Sequence, residues 1–224
     1  MAEQLVFDLP QRAAQGREDF FVTPANALAV AQIDNWANWP QRKLVLVGAE
    51  GAGKTHLAHV WAAQTGAEIV AHDALATRDI AALAGRGAVV IEDADRIRDP
   101  ATQEALFHLH NLILAEGGHL LLTARSAPNL WPLTLPDLQS RMQGTATATL
   151  DPPDDALLGA LLVKLFADRQ LQMPPRLLPY LLPRMERSCA AAQALVAELD
   201  RRALATGRKI SDRLAAEILE PTDD

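Results

Sequence analysis

The chain has 224 residues, of which 49% are hydrophobic, and it carries a formal net charge of −7. This length suits one medium domain with a smaller one, and the apolar content is enough for a sizeable core. The acidic balance argues against a protein that binds nucleic acid of any sequence, because such binding needs a basic face. A local basic patch stays open.

The sequence also limits the compartment. Cys189 is the one cysteine of the chain, so an internal disulfide is excluded. No stretch approaches the roughly 18 apolar residues that a membrane span needs. The first residues include Glu3 and Asp8 and lack the basic start and apolar core of a secretory signal. We therefore expect a soluble cytoplasmic protein that has no contact with a membrane.

The first ordered element is expected after a tail. Residues 1–18 are predicted to be flexible, because residues 12–18 are small, polar and charged without apolar periodicity. A helix is predicted over residues 25–36, with Thr23 as its N-cap and Pro24 in its first turn.

Short apolar runs then alternate with helix-like segments. Continuous apolar strands separated by helices are typical of a parallel sheet that is covered on both faces. Strands are predicted over residues 44–47, 68–72, 88–91, 119–123 and 145–150, and helices over residues 56–64, 74–84 and 102–115.

The pattern changes at Asp151-Pro152-Pro153, after which only helices are predicted, over residues 154–169, 175–185, 189–206 and 211–219. Gly207 is expected to end the third of these helices and Ser211 to cap the fourth. The fold class is therefore an α/β domain with a parallel sheet, followed by a small all-helical domain. The predicted division is a tail at 1–18, an α/β nucleotide-binding domain at 19–151 and a helical domain at 152–224.

One segment between the first strand and the next helix carries the chemistry. It reads Gly48-Ala49-Glu50-Gly51-Ala52-Gly53-Lys54-Thr55, which is the G-x-x-x-x-G-K-T pattern of a phosphate-binding loop. Glycines allow the backbone N–H groups to point inward, and the helix start adds its positive dipole end. The alternative is an ordinary glycine-rich turn that opens a helix.

The loop predicts a bound ADP or ATP with Mg²⁺. Lys54 would reach the β- and γ-phosphates, and Thr55 would offer its hydroxyl to the metal. The residues expected to hold the nucleotide here are Gly48, Gly51, Ala52, Gly53, Lys54, Thr55 and His56.

Two carboxylates end a later strand. Glu92 and Asp93 follow the apolar run 88–91. Ligands bind at the carboxyl edge of a parallel sheet, so Glu92 could hold Mg²⁺ through water while Asp93 orients an attacking water. Two solvated acids that close a strand are the alternative.

With both motifs placed, the chain resembles AAA+ ATPases, and within them the DnaA/Hda branch of replication-control proteins. The resemblance runs from about residue 20 to 219. It is carried by Phe20-Phe21-Val22-Thr23-Pro24-Ala25-Asn26-Ala27-Leu28, Leu120-Leu121-Leu122-Thr123-Ala124-Arg125, Leu138-Gln139-Ser140-Arg141-Met142 and Gly207-Arg208-Lys209-Ile210-Ser211. It implies that Val22 lies by the adenine, that Thr123 is a sensor-1 contact and that Arg141 is an arginine finger.

Two features are more similar to the Hda members of this branch than to DnaA. No DNA-reading helix-turn-helix segment is expected after residue 219. The tail contains Gln4-Leu5-Val6-Phe7-Asp8-Leu9, which resembles a peptide that binds the DNA polymerase sliding clamp. Gln4, Leu5, Phe7 and Leu9 would make that contact by filling pockets as an extended strand. An edge strand or a chance run of apolar residues is the alternative.

The resemblance implies a protein that binds the clamp on DNA, contacts ATP-bound DnaA and promotes hydrolysis of its ATP. Arg141 would act in trans on the neighbour's nucleotide, which implies side-by-side packing and a possible homo-oligomer. The alternative for Arg141 is a surface ion pair with Asp137 or with a carboxylate of the helical domain.

The chain departs from the DnaA pattern at two places. The sensor-2 arginine position falls on Ala190, with Arg187 one helical turn earlier as a substitute. Arg125 stands where DnaA has an aspartate. These changes, with Glu92 in place of the usual aspartate, predict a site that holds nucleotide, with ADP resident, and turns it over slowly. A self-contained ATPase of the helicase-loader type and a DNA-binding initiator fragment are the alternative functions.

Overall fold

A computed structural model describes residues 21–219. Within these residues five parallel strands form one sheet in the order β2-β3-β4-β1-β5. The strands are β1 Lys43–Gly48, β2 Glu68–Ala71, β3 Ala88–Glu92, β4 His119–Ala124 and β5 Thr147–Leu150. The predicted α/β fold with a parallel sheet is confirmed.

Helices cover the sheet and continue the chain beyond it. They are α1 Ala27–Asp34, α2 Lys54–Thr65, α3 Ile80–Ala84, α4 Pro100–Ala115, α5 Pro136–Gln143, α6 Asp155–Asp168, α7 Leu177–Leu181, α8 Cys189–Thr206 and α9 Asp212–Leu219. None of the helices within residues 21–219 is long and apolar enough to cross a membrane.

The strands alternate between two apolar layers, because successive side chains point to opposite faces. On one face Val45 and Leu122 pack with Leu109 of α4 and Leu138 of α5. On the other face the strands pack against α1 and α2 in a second cluster, where Trp61 is fully buried. A sheet covered on both faces explains why its strands read as continuous apolar runs.

Helices α6 to α9, which we call the lid, pack around a third apolar cluster that includes Leu162, Phe166 and Leu199. Asp154 caps α6, because its Oδ1 accepts the Leu157 N–H at 2.7 Å. The lid helices begin where Pro152 and Pro153 end the strand pattern.

Three predicted helices differ from the structure. The N-cap position of α1 is Asn26 and not the predicted Thr23. The Asn26 side chain folds back and accepts the Thr23 N–H at 2.8 Å. The helix predicted over residues 74–84 is a short 3₁₀ turn followed by α3, because the Asp79 carboxylate caps a new start. The helix predicted over 175–185 shrinks to α7, since Pro183 has no N–H for a helical bond.

A lysine is buried at the start of β1. Lys43 is 1% exposed, and its Nζ lies 3.1 Å from His110 Nε2 and donates to the Arg141 carbonyl at 2.8 Å. Burial, and then the Arg141 charge, lowers the pKa of Lys43 from its ordinary 10.5 to about 8. The folded protein therefore holds this proton less tightly than the unfolded chain does.

We expect this lysine to make stability rise with pH between about 8 and 10.5. In that window the unfolded chain keeps the Lys43 proton while the folded protein releases it. The wild type should gain about 3 kcal/mol relative to Lys43→Met across the window. Urea unfolding of both proteins at pH 7.5, 9 and 10.5 measures the difference, and a constant difference would contradict the prediction.

Candidate nucleotide-binding site

The loop after β1 bends through two left-handed positions that glycine adopts without strain. Gly51 has φ of +73° and Gly53, which precedes α2, has φ of +101°. The loop thereby brings its backbone to the first turn of α2, whose N–H groups have no partner inside the helix. This arrangement is a ready site for a phosphate group.

Lys54 is the cation of the loop. It is 8% exposed, and its ammonium donates to the carbonyls of Gly48 at 2.7 Å and Ala49 at 2.8 Å. Burial is the main cause that lowers its pKa, and the carboxylate of Asp93 acts in the opposite direction. An ammonium held at the loop is placed to meet a polyphosphate.

A cavity of about 420 Å³ lies over the loop. Its walls come from the loop, the carboxyl edge of the sheet and the lid. It is lined by Phe21, Glu50, Gly51, Ala52, Gly53, Lys54, Thr55, His56, His59, Asp93, Arg125, Leu157, Leu161, Cys189, Ala190 and Gln193. One end is polar and cationic and the other is apolar, which suits a polyphosphate joined to a base.

The strand register places the acid pair at this edge. Val47 of β1 pairs with Ala124 of β4, and Glu92 ends β3 beside it. Asp93 lines the cavity and has φ of +52°, while its N–H donates to Thr123 Oγ1 at 3.0 Å. Thr123, 1% exposed, therefore acts as a support beneath Asp93.

The donors present fit a magnesium ion. Glu92 Oε1 is buried, and no hydrogen bond reaches it from the described residues. Thr55 lies in the cavity wall across the loop. No group of three or more metal-type side chains occurs within residues 21–219, but Mg²⁺ with a nucleotide needs only one or two protein oxygens besides phosphate and water.

Arg125 is a cavity residue that sequence reasoning treated only as a departure from a pattern. Its guanidinium pairs with Glu50 of the loop at 2.7 Å, and its N–H donates to Asp95 Oδ2 at 3.0 Å. Its position directly after β4 could have predicted this placement, because β4 pairs with β1 and the carboxyl ends of the two strands lie together. Arg125 therefore adds a second basic side chain to the cavity wall, already paired with Glu50.

The lid touches the loop directly. The N–H of Cys189, the first residue of α8, donates to the Gly51 carbonyl at 2.8 Å. Ser188 caps α8, accepting the Ala191 N–H at 3.0 Å. A Cβ on Gly51 would lie 2.4 Å from Ser188 Cβ, so the contact exists only because residue 51 is glycine. Burial raises the pKa of the Cys189 thiol to about 11, which keeps it unreactive.

Several predicted nucleotide contacts lie outside the cavity wall. Arg187 points to Asp155, with Nη1 2.7 Å from Oδ1, while Ala190 lines the cavity. Val22 is 49% exposed, and its neighbour Phe21 is the lining residue. The predicted roles of Arg187 and Val22 stay predictions. The clamp-peptide residues Gln4, Leu5, Phe7 and Leu9 lie outside the described residues.

Arg141 lies in the last turn of α5 with an exposed side chain. Within residues 21–219 no ion pair joins it to Asp137 or to another carboxylate. Four arginines of the lid differ from it, because each lies in an ion pair. Glu198 pairs with Arg201 and Arg202, and Glu217 pairs with Arg208 and Arg213.

The sheet order, the phosphate loop on its carboxyl edge and the helical lid define a P-loop fold of the AAA+ type. No family model matches the sequence. The chain is 26% identical over 238 residues to the chromosomal replication initiator protein DnaA of Thermomicrobium roseum. That match covers 92% of the chain and 49% of the relative, so the chain spans about half the length of that protein.

Solved structures agree in fold. Domain III of the Thermotoga maritima replication initiation protein DnaA superposes with a TM-score of 0.78 at 20% identity, covering 92% of this chain and 95% of that one. AMPPCP-bound DnaA from Aquifex aeolicus superposes with a TM-score of 0.69 at 17% identity, covering 85% and 67%. The fold is therefore that of DnaA domain III, and the sequence is similar to that of DnaA at 26% identity.

We expect Gly51→Ala to weaken nucleotide binding by displacing the lid from the loop. A methyl at residue 51 is strained by φ of +73° and meets Ser188 at 2.4 Å. The overpacking should lower ADP affinity about tenfold. Isothermal titration calorimetry with ADP measures the affinity.

Gly66→Ala is the matched control. Gly66 has the same φ of +73°, and nothing lies within 4 Å of the position of its added Cβ. That variant should lose about 1 kcal/mol of stability from backbone strain and keep its ADP affinity. Equal ADP affinity in the two variants would rule out the lid contact as the cause.

Proposed function

We propose that the protein is a nucleotide-dependent regulator of replication initiation of the Hda type, which promotes hydrolysis of ATP bound to DnaA and so inactivates it. The similarity to DnaA supports the replication setting. The observation that carries the proposal is the position of Arg141. It is exposed near the amino edge of the sheet, whereas the nucleotide cavity lies at the carboxyl edge.

The distance follows from the strand. The Arg141 carbonyl is bonded to Lys43, the first residue of β1, whereas the loop begins at Gly48, the last residue. Five strand steps separate these ends by about 17 Å. Arg141 is also absent from the cavity wall. Its guanidinium therefore lies too far away to serve this chain's own phosphates, which supports the proposal that it acts on a nucleotide of a neighbouring molecule.

The chain's own cavity would hold ADP or ATP with Mg²⁺. Lys54 and the α2 N-terminus would bind the phosphates, while Thr55 and Glu92 would hold the metal, directly or through water. The bound group would supply polyphosphate charge and a cation between loop and lid. Its presence would fix the angle at which lid and sheet meet, and that angle sets how the molecule docks on its partner.

We further propose that ADP is the resident ligand. Ala190 stands in the cavity wall where a sensor-2 arginine is expected from the resemblance, and Arg187 is engaged by Asp155. Arg125 is held by Glu50. With those side chains so arranged, little charge is left to stabilise a transferring γ-phosphate beyond Lys54, which favours retention of nucleotide over turnover.

Arg141→Ala should leave folding and ADP binding unchanged and should lower the stimulation of DnaA-bound ATP hydrolysis by on the order of a thousandfold. The reason is the loss of a guanidinium from the charge that develops on the γ-phosphate. The assay follows release of phosphate from DnaA loaded with radiolabelled ATP, in the presence of clamp on DNA.

Arg176→Ala is the control for general loss of surface charge, because Arg176 is also exposed and does not line the nucleotide cavity. It should stimulate hydrolysis as the wild type does. Stimulation by Arg141→Ala at the wild-type rate would refute the assignment.

The tail would recruit the protein to the clamp, with Gln4, Leu5, Phe7 and Leu9 as the contact residues. A clamp-bound regulator meets DnaA only when replication has loaded clamps on DNA. The same proposal includes a boundary near residue 151 between the α/β domain and the helical domain. It also includes side-by-side packing of copies, which would bring tail, cavity and Arg141 into one assembly.

A chain that lacks residues 1–10 should fail to bind the clamp and keep its ADP affinity. Gln4→Ala should weaken clamp binding about tenfold, because the amide would anchor one end of an extended peptide. Surface plasmon resonance on immobilised clamp measures both variants. Clamp binding that persists without the tail would place the contact elsewhere and remove this part of the proposal.

A second candidate is a self-contained ATPase of the helicase-loader type. Asp93 favours it, because this carboxylate faces the cavity where an attacking water would lie. Multiple-turnover ATP hydrolysis that single-stranded DNA stimulates, without DnaA, would select it over the regulator.

A further inference from the structure

The start of β1 holds a buried cation. Lys43 is 1% exposed, and no carboxylate within the described residues forms an ion pair with it. Charged groups are almost never fully buried without a partner of opposite charge, since removing them from water is costly. A methionine would fill the same space without that cost, so the ammonium calls for a reason beyond packing.

The ammonium is tied to one backbone atom of α5. Lys43 Nζ donates to the Arg141 carbonyl at 2.8 Å, and the Thr145 hydroxyl donates to the same oxygen at 2.9 Å. The carbonyls in the last turn of a helix have no partner inside the helix. A cation there also complements the negative end of the helix dipole. The backbone of Arg141 is therefore held from two sides.

The rest of α5 is anchored as well. Leu138 and Met142, which flank Arg141 by three residues and one, are both fully buried. Ser140, Arg141 and Gln143 of this turn are exposed to solvent. Buried contacts therefore fix the backbone from which the Arg141 side chain projects, and Lys43 supplies the charged contact among them.

The histidine beside Lys43 completes a directed chain of hydrogen bonds. His110 Nδ1 lies 3.1 Å from Asn111 Oδ1, and that oxygen can only accept. The proton of the neutral ring is therefore on Nδ1, which leaves Nε2 to accept from Lys43. Burial lowers the pKa of His110 and keeps the ring neutral.

We propose that Lys43 is a positioning residue for Arg141, which fixes the last turn of α5 so that the arginine points toward a partner's nucleotide. This rests on the proposed function of Arg141. Lys43 is buried and does not line the nucleotide cavity, so it would act through the Arg141 backbone.

A pH dependence should accompany this role. Burial, and then the Arg141 charge, lowers the pKa of Lys43 to about 8. The titratable groups that face it are His110 of α4 and Arg141 of α5, and of these it is the Arg141 charge that disfavours the ammonium. Above pH 8 the ammonium becomes an amine, and its hold on the carbonyl weakens. Stimulation by the wild type, divided by that of Lys43→Met, should therefore fall as the pH rises through about 8.

The test compares Lys43→Met with the wild type in the DnaA-bound ATP assay and in thermal unfolding. Stimulation should drop about tenfold at pH 7, because displacement of a charged group by a fraction of an ångström has effects of this size. The unfolding midpoint should stay the same or rise, since a buried charge is gone, and ADP affinity should be unchanged. A residue with a merely structural role would lower stimulation and the midpoint together.

Thr145→Val is a second variant that tests the contacts of the Arg141 carbonyl. It removes the other hydrogen bond while keeping side-chain shape, and it should produce the same selective loss of stimulation. The proposal is overturned when Lys43→Met and Thr145→Val both stimulate at the wild-type rate, or when the loss in each follows a fall in midpoint.

Arg141→Ala in the same assay separates the two ideas. Full stimulation by Arg141→Ala overturns the proposed function and this inference with it. Loss of stimulation in Arg141→Ala, with full stimulation in Lys43→Met, overturns the role of Lys43 alone.

Discussion

The hydrogen bond from the Cys189 N–H to the Gly51 carbonyl joins the lid to the phosphate loop and holds the α8 wall of the cavity beside that loop. The loop must curl to present its amides, which requires left-handed φ values, and the lid must come close enough to close the cavity. Gly51 satisfies both demands at one position, since any side chain would meet Ser188. Loop conformation and lid position are therefore one constraint.

The charges around that contact divide the cavity by function. Lys54 and Arg125 provide cations at the phosphate end, while Glu50 holds Arg125 and Asp93 faces Lys54. The lid contributes apolar side chains and a small residue at the sensor-2 position. This balance underlies the proposal that the site holds a polyphosphate more readily than it stabilises the extra charge of its transfer.

The two edges of the sheet carry different tasks. The carboxyl edge carries the proposed nucleotide site. The amino edge carries the turn that bears Arg141, and Lys43 is buried there at the start of β1. A parallel sheet separates these edges by the length of a strand. The proposed nucleotide site and the exposed Arg141 therefore do not compete for the same space.

The sequence by itself determined the elements whose signals are local. The apolar runs, the spacing from Gly48 to Thr55 and the acids after β3 predicted the parallel sheet, the loop and the edge where they meet. Helix ends that depend on one side chain were missed: Asp79 restarts a helix as a cap, and Asn26 turns away from one.

Only the tertiary structure decided which side chains face the cavity. Arg187 and Arg125 could each approach the phosphates by sequence position, yet Asp155 draws the first away and the pairing of β4 with β1 brings the second in. The burial of Lys43 against Arg141 joins residues 98 positions apart. Such pairings depend on how helices and strands pack at long range, and no local pattern of residues carries that information.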